Sequence, residues 1–521
     1  MTTPPDEPHG QWHRLDPRSI LAVGALALAP MLPAAVFIGF GDTSTSTLLT
    51  TLGIWLAIAA VVCGGAAVRW YFTHYRVTGQ RFELRRGNLS RSHRSIPRDR
   101  IRSVDLTAQP AHRLFGLSVV KVGTGQHSGE DGELKLDAIA TPRAEALRRE
   151  LLHTVGTDSA TTAASTVGSE PSHTELARLR PVWLGYSVTT VSLVLIVWGA
   201  LASGLGSLYD LLTSLGVFGG AVDRFGSVPL WAGITVGALV LLLLGLLGSL
   251  LLSLEMWWAF RLVRERDATL RVRRGLLTTR SLSLEERRLR GIEILEPLVL
   301  RWVGGARTNA VATGLSAQQE SKQPDRKALL PPAPRAEAER VAAAVLREDQ
   351  PVTGGCPAAA HPRAALRRRL TWSLAGPAVL VITSAVCGAL IGRVPSWMWI
   401  PALGTVPFAV GFAVDAYRNL GHALDEKYLI TRSGTGIRRT VALRRDGVIG
   451  WRMQQSPLQR RSGLITIAAT TSAGSGAYAV RDIATHDGLA FAGEAVPDLL
   501  TPFLETRHCG QQSSHGVARR A

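Results

Sequence analysis

Lysine is almost absent from this chain. Of 58 basic residues among 521, only Lys121, Lys135, Lys322, Lys327 and Lys427 are lysine; the others are arginine. That skew, together with abundant Ala, Gly and Leu, reads as genomic base composition rather than selection at a site. The formal charge of +18 therefore does not by itself point to nucleic acid. No helix-turn-helix, RNP-like or zinc-finger pattern accompanies it, and no nucleic-acid partner is expected. Cysteine is scarce as well: Cys63 and Cys387 sit in apolar runs, while Cys356 and Cys509 stand alone in polar sequence. Without CxxC or Cys/His spacing, zinc ribbons and disulfide frameworks are excluded. Catalytic signatures are missing too. The histidines form no HExxH, Gly123-Thr124-Gly125 lacks the lysine of a phosphate loop, and Asp105 and Glu285-Glu286 beside arginine read as surface ion pairs. No catalytic, cofactor-binding or metal residue is assigned, no cofactor is implied, and the expectation is a protein that is not an enzyme.

What the chain has is long apolar runs in pairs. The runs are Ile20 to Phe40 with Leu48 to Val68, Val182 to Leu201 with Leu230 to Leu254, and Leu370 to Ile391 with Trp397 to Val414. Each approaches the roughly 20 residues that a helix needs to cross a hydrocarbon core. Leu230 to Leu254 holds no charged residue, whereas Pro30, Pro33, Pro401 and Pro407 interrupt other runs. Six membrane spans are expected. Met1 to Arg18 is polar and no small-residue cleavage site follows, so the first run reads as a retained anchor.

Arginine placement gives the expected orientation. Loops inside the pairs are poor in it, with Arg224 and Arg393 the exceptions. The outer flanks carry Arg69, Arg76, Arg81, Arg85 and Arg86, then Arg261, Arg264, Arg266, Arg271, Arg273 and Arg274, and Arg363 and Arg367 to Arg369. By the positive-inside rule both termini and all three basic regions are cytoplasmic. Trp70, Trp183, Trp257, Trp258, Trp397 and Trp399 mark span ends, as an interfacial belt requires.

After each pair comes a strand-patterned stretch. Tyr75-Arg76-Val77-Thr78 and Arg81 to Arg85 alternate apolar with polar; short strands follow at Leu89 to Ser95, Ile101 to Ala108, Leu117 to Val122 and Glu133 to Asp137. A helix over Pro142 to Leu152 closes the stretch, and others close later ones at Pro334 to Leu346 and Ala490 to Leu504. Landmarks recur: Pro110 with Gly116, Pro297 with Gly304, and Pro457 with Gly463. The interval is six residues in the first and third stretches and seven in the second. A repeat with near-constant spacing argues for duplication.

The segment Arg98 to Val104, Gln109-Pro110 and Arg113-Leu114-Phe115-Gly116-Leu117 resembles the bacterial pleckstrin-homology-like domain. The tandem with paired spans is similar to YdbT-type membrane proteins. The last stretch departs from the pattern by placing Arg444-Arg445-Asp446-Gly447-Val448 where the first has Pro97 to Ile101. The resemblance implies a seven-stranded barrel plugged at one end by a helix, with no catalytic residues. The expected fold class is an α+β membrane protein with six transmembrane helices in three pairs, each pair followed by a PH-like antiparallel β-barrel capped by a C-terminal helix. Its division runs 1–19 tail, 20–68 helix pair, 69–153 PH-like domain, 154–178 linker, 179–256 helix pair, 257–347 PH-like domain, 348–366 linker, 367–416 helix pair, 417–506 PH-like domain and 507–521 tail.

The function expected is a membrane-face scaffold or binding module in the inner membrane of a bacterium, in envelope maintenance or stress and antimicrobial tolerance. The alternatives are a transporter or export component, and an anionic-lipid sensor. The scarcity of ionisable residues inside the spans speaks against transport. Partners expected are membrane lipids, and another membrane protein or a second copy through the barrel surfaces. The candidate lipid or partner face is Arg85, Arg86, Arg91, Arg94, Arg98, Arg100 and Arg102, with each arginine near an anionic surface contributing about 1 kcal/mol.

Overall fold

The computed structural model describes residues 11–28, 45–87, 92–101, 103–123, 133–152, 174–207, 229–266, 268–314, 327–354, 360–390, 397 and 399–500. Two compact units emerge. The first takes in Met1–Pro357, Gly436–Leu443 and Ser472–Gly476, and the second Ala358–Thr435, Arg444–Thr471 and Ala477–Ala521.

The apolar runs fold as helices: α1 (Arg18–Leu28), α2 (Thr45–Phe72), α3 (Val182–Val188), α4 (Val191–Ser207), α5 (Leu230–Trp257), α6 (Arg363–Leu390), α7 (Trp399–Leu403) and α8 (Thr405–Arg418). Among the described residues four helical stretches are long and apolar enough to cross a membrane, or five if the pair α3 and α4, bent by 64°, counts as one span. In α5 the most apolar window has a mean hydropathy of 2.6 with only 11% of it buried. A stripe that apolar and that exposed suits lipid rather than water. The six expected spans are thus met in part. The third is broken, because the chain turns at Thr189-Thr190, where Thr190 Oγ1 is held by Arg307 at 2.8 Å. Most of the first lies outside the described residues.

Helices pack in twos. A Cβ on Gly24 of α1 would lie 2.9 Å from Cys63 Sγ of α2, and one on Gly248 of α5 2.6 Å from Val197 of α4. Ser373 of α6 donates to the Ala409 carbonyl of α8 at 2.7 Å. Two of the expected belt tryptophans belong elsewhere. Trp183 and Trp257 are both 2% exposed, and Trp257 packs edge-on to Phe260 with Arg274 over its ring at 4.3 Å.

Between and after these helices one order of elements occurs three times. In the first unit it starts with β1 (His13–Arg14), β2 (His74–Val77), β3 (Arg81–Arg86) and β4 (Ser92–Pro97), which make a four-stranded antiparallel sheet. A 3-10 turn at Arg98–Arg100 leads to β5 (Ser103–Ala108), the short helix Pro110–Leu114, β6 (Leu117–Gly123), β7 (Glu133–Ala140) and the helix Thr141–Leu152. Alternation places Tyr75, Phe82 and Leu84 of one layer against Val104, Leu106, Val120, Val122, Leu134 and Leu136 of the other, and Ala144, Leu147 and Leu151 of the helix close the end. The strand β8 (Thr174–Arg178) precedes α3. Then follow β9 (Arg261–Arg264), β10 (Thr269–Arg274), β11 (Thr279–Glu285), β12 (Leu289–Pro297), β13 (Gly305–Ala312), β14 (Ala328–Pro334) and the helix Arg335–Leu346. The third set comprises β15 (Gly421–Leu424), β16 (Tyr428–Ser433), β17 (Ile437–Arg444), β18 (Gly450–Gln454), β19 (Leu464–Thr470), β20 (Ala477–Ala484) and the helix Thr485–Ala495.

The strands do not close within each set, as three separate barrels would require. Strand β5 pairs with β11, so that one seven-stranded sheet runs β7-β6-β5-β11-β10-β9-β8. A second seam joins β12 to β17, antiparallel from Gly291 against Leu443 to Pro297 against Ile437. Gly291 is required there, because a Cβ would meet the Ala442 carbonyl oxygen at 2.1 Å. Buried ion pairs fasten both seams. Arg148 of the first closing helix reaches Glu265 with two nitrogens, at 3.1 and 3.2 Å. Arg438 of β17 grips Glu296 of β12 at 2.6 and 2.5 Å.

In the second unit, β15 pairs with β16, and β18, β19 and β20 form a three-stranded sheet in that order. Three short strands were not expected: β1 in the N-terminal tail, β8 in the stretch assigned as a linker, and β15. The first two occupy sheet edges next to β2 and β9. Too few residues alternate there for a period to be legible.

Candidate functional site

The proline and glycine landmarks prove to be where apolar helices meet the sheets. Pro110 and Pro457 begin short helices, where a missing N–H costs nothing, and Pro297 caps the third. Gly116, Gly304 and Gly463 follow with φ of +67°, +73° and +64°. This left-handed turn aims the next strand back under the entering helix. Thus Leu117 packs on Ala22 of α1, Gly305 lies against Tyr186 of α3, and Leu464 packs with Ala365 of α6.

In the second unit that junction opens into a cleft of about 900 Å3. Trp372 and Phe412, 62% and 45% exposed, line its apolar side; Arg368, Arg369, Arg481 and Asp482 line the other. Asp482 is 1% exposed and sits at φ +58°. It accepts from Arg368 Nη1 at 2.5 Å, Arg369 Nη2 at 3.0 Å and Gln459 Nε2 at 2.8 Å. Gln459 is pinned by a reciprocal cap: Ser456 N–H donates to Gln459 Oε1 at 2.9 Å, and Gln459 N–H donates to Ser456 Oγ at 3.3 Å. One carboxylate therefore orients two guanidinium groups, which still leaves a surplus of positive charge with Arg481. The Nε atoms of Arg368 and Arg369 are buried and have no acceptor among the described residues. Such donors are costly unless something accepts from them.

The arginines singled out by sequence do not share one face. Arg85 is exposed and stacks over Trp12 at 4.3 Å. Arg86, its neighbour along β3, points to the opposite side of the sheet and pairs in register with Ser92. Burial pulls its guanidinium below the ordinary range, an effect that Asp137 counters and that Arg69 and Arg94 reinforce. Arg94 lies opposite buried Leu84, on the side of Arg86. Arg98 is committed to the Gly79 carbonyl at 3.1 Å and to that of Glu150. Arg100 is exposed, while Arg91 and Arg102 lie outside the described residues.

Sequence reasoning read Arg368 and Arg369 only as topology signals and passed over Asp482. A usable signal was present. Counting back from the closing helices, Asp482 occupies the position of Ala138 and Pro332, and in the first set Ala138 packs with Ala22 and Leu117. An acid where its counterparts are apolar marks a specialised site. No group of three or more potential metal ligands occurs among the described residues.

No curated protein and no solved structure matches the chain. The family model of the bacterial PH domain matches residues 22–155 and 375–491, so that in both stretches, each running from an apolar helix into its sheets and closing helix, the chain is similar to that domain.

Proposed function

We propose that this chain is a non-enzymatic, membrane-anchored binding module, built from three PH-like copies on the cytoplasmic face, whose cleft in the second unit takes the anionic headgroup of a membrane lipid. The observation that carries the reading is the pair of buried Nε donors of Arg368 and Arg369, without an acceptor among the described residues, beside the exposed rings of Trp372 and Phe412. A phosphate would accept from the arginines, as guanidinium groups favour, while acyl chains would lie along the rings and the apolar faces of α6 and α8. The similarity to the bacterial PH domain supports a membrane-associated binding role of this kind.

Native mass spectrometry of the full chain, released from micelles holding phosphatidylglycerol or phosphatidylcholine, tests it. Preferential retention of phosphatidylglycerol is expected, several-fold weaker in Arg481→Gln and Trp372→Ala and unchanged in Arg100→Gln. Equal retention of the two lipids, or equal losses in all three variants, would overturn the assignment.

A further inference from the structure

We infer that the free edges of β4 and β18 form a latent head-to-tail interface for a second copy of this chain, held closed by Arg94 and Arg452. The two internal seams share one register when counted from the left-handed glycine of one set and the 3-10 turn of the next. Asp105, eleven residues before Gly116, faces Leu282, four before the turn Glu286–Arg288. Glu293, eleven before Gly304, faces Val441, four before the turn Arg445–Gly447. Transferred to the outer edges, that register lays β18 along β4, Gly450 against Ile96 through Gln454 against Ser92. Both strands are edges of their sheets among the described residues. Neither has a buried position, whereas β5 is buried at all but one.

The residues at the decisive place differ in kind. Where each seam sets an acid against an aliphatic side chain, the outer edges would set Arg452 against Arg94. Like charges directly opposed across strands are destabilising, and charge on an edge strand is a device by which sheets avoid further pairing. The fastening is missing as well. Arg148, seventh after Thr141 in its helix, has only Ala492 as its counterpart after Thr485, and Glu296, the acid that fastens the second seam eight residues before Gly304, has neutral Gln455 as its counterpart eight before Gly463. Repeated sheet growth thus stops at both ends, although the backbone hydrogen-bonding groups of both edges remain suited to another strand.

Charge reversal tests this in the full chain. Arg94→Glu and Arg452→Glu would each create an opposite pair, and sedimentation in detergent should show concentration-dependent association that the natural chain lacks. The double variant, with two glutamates opposed, should return to the natural behaviour, a pattern that misfolding does not produce. With Cys63, Cys356, Cys387 and Cys509 replaced, Met453→Cys and His93→Cys, which the register places opposite one another, should form disulfide-linked ladders in membranes only in the single-reversal backgrounds. The inference fails if neither single reversal associates, if the double variant associates as the singles do, or if the natural chain already forms the ladder.

Discussion

Removing Arg148 is the sharpest test of how the first seam holds. Its side chain is 4% exposed and Glu265 15%; besides the two bonds to Glu265, Nη1 donates to Ser283 Oγ at 3.0 Å. Breaking a buried pair by deleting one partner costs about 3–5 kcal/mol, because a charge is left uncompensated. Glu265 would keep Arg271 at 3.6 Å, so Arg148→Met should fall at the low end, about 3 kcal/mol. Burial lowers the Arg271 guanidinium below its ordinary range, and Arg148 adds to that before Glu265 and Glu145 oppose it; loss of Arg148 therefore relieves one repulsion. Replacing both members, Arg148→Met with Glu265→Leu, should recover most of the loss, since apolar substitutes of similar volume are often neutral. A chain of two compact units does not unfold in one step, so the readout should be local. Hydrogen exchange across Thr141–Leu152 and β11 would accelerate on the order of a hundredfold in the single variant, at tenfold per 1.4 kcal/mol. Acceleration below about tenfold, or a double variant worse than the single, would refute the view that this pair fastens the seam.

Other outcomes follow from the same geometry. His422 is 9% exposed and packs edge-on to His361 and Phe491 at 5.1 and 4.9 Å; burial lowers its pKa, partly opposed by Asp487. The unfolded chain then binds the extra proton first, so stability from this group is complete above about pH 6.5 and declines as pH falls through that value; melting curves should show the slope, and His422→Phe should flatten it. Gly116→Ala should cost about 1 kcal/mol through its left-handed backbone alone, since a Cβ there meets nothing within 4 Å, and thermal unfolding would register it. Glu255, near the end of α5, binds the Leu277 and Thr278 amides at 2.8 and 3.0 Å, which sets exposed Leu277 level with a span end. A fluorophore at Leu277→Cys should be quenched by lipid-borne nitroxide more than by iodide, and the reverse order would place that turn in water.

Much of the fold was legible because its signals are local. Apolar runs without charge named the helices, and alternation at Tyr75–Thr78 and Arg81–Arg85 named strands whose ends the structure moves by one residue, to His74–Val77 and Arg81–Arg86. The Pro110 and Gly116 spacing was legible as a repeat landmark, and the structure shows that it brackets a short helix and a left-handed turn. The candidate face was not legible in the same way. Arg85 and Arg86 are neighbours in sequence and lie on opposite sides of a sheet, and Arg98 is consumed by the Gly79 and Glu150 carbonyls. Nor does any local pattern join Arg368 to Asp482, which meet because α6 enters the sheet beside a left-handed residue of β20.

The chain by itself determined most of the helices and strands, though not β1, β8, β15 or the break at Thr189-Thr190, and that one order of elements is used three times, since periodicity and hydropathy act over a few residues. Only the tertiary structure decided which strands pair. Backbone hydrogen bonding carries no sequence label, so β5 takes β11 and β12 takes β17 through packing, close backbone approach at Gly291 and the buried pairs of Glu265 and Glu296. The cleft at Asp482 is likewise a product of tertiary contact, because its charges oppose one another only once helix and sheet are brought together.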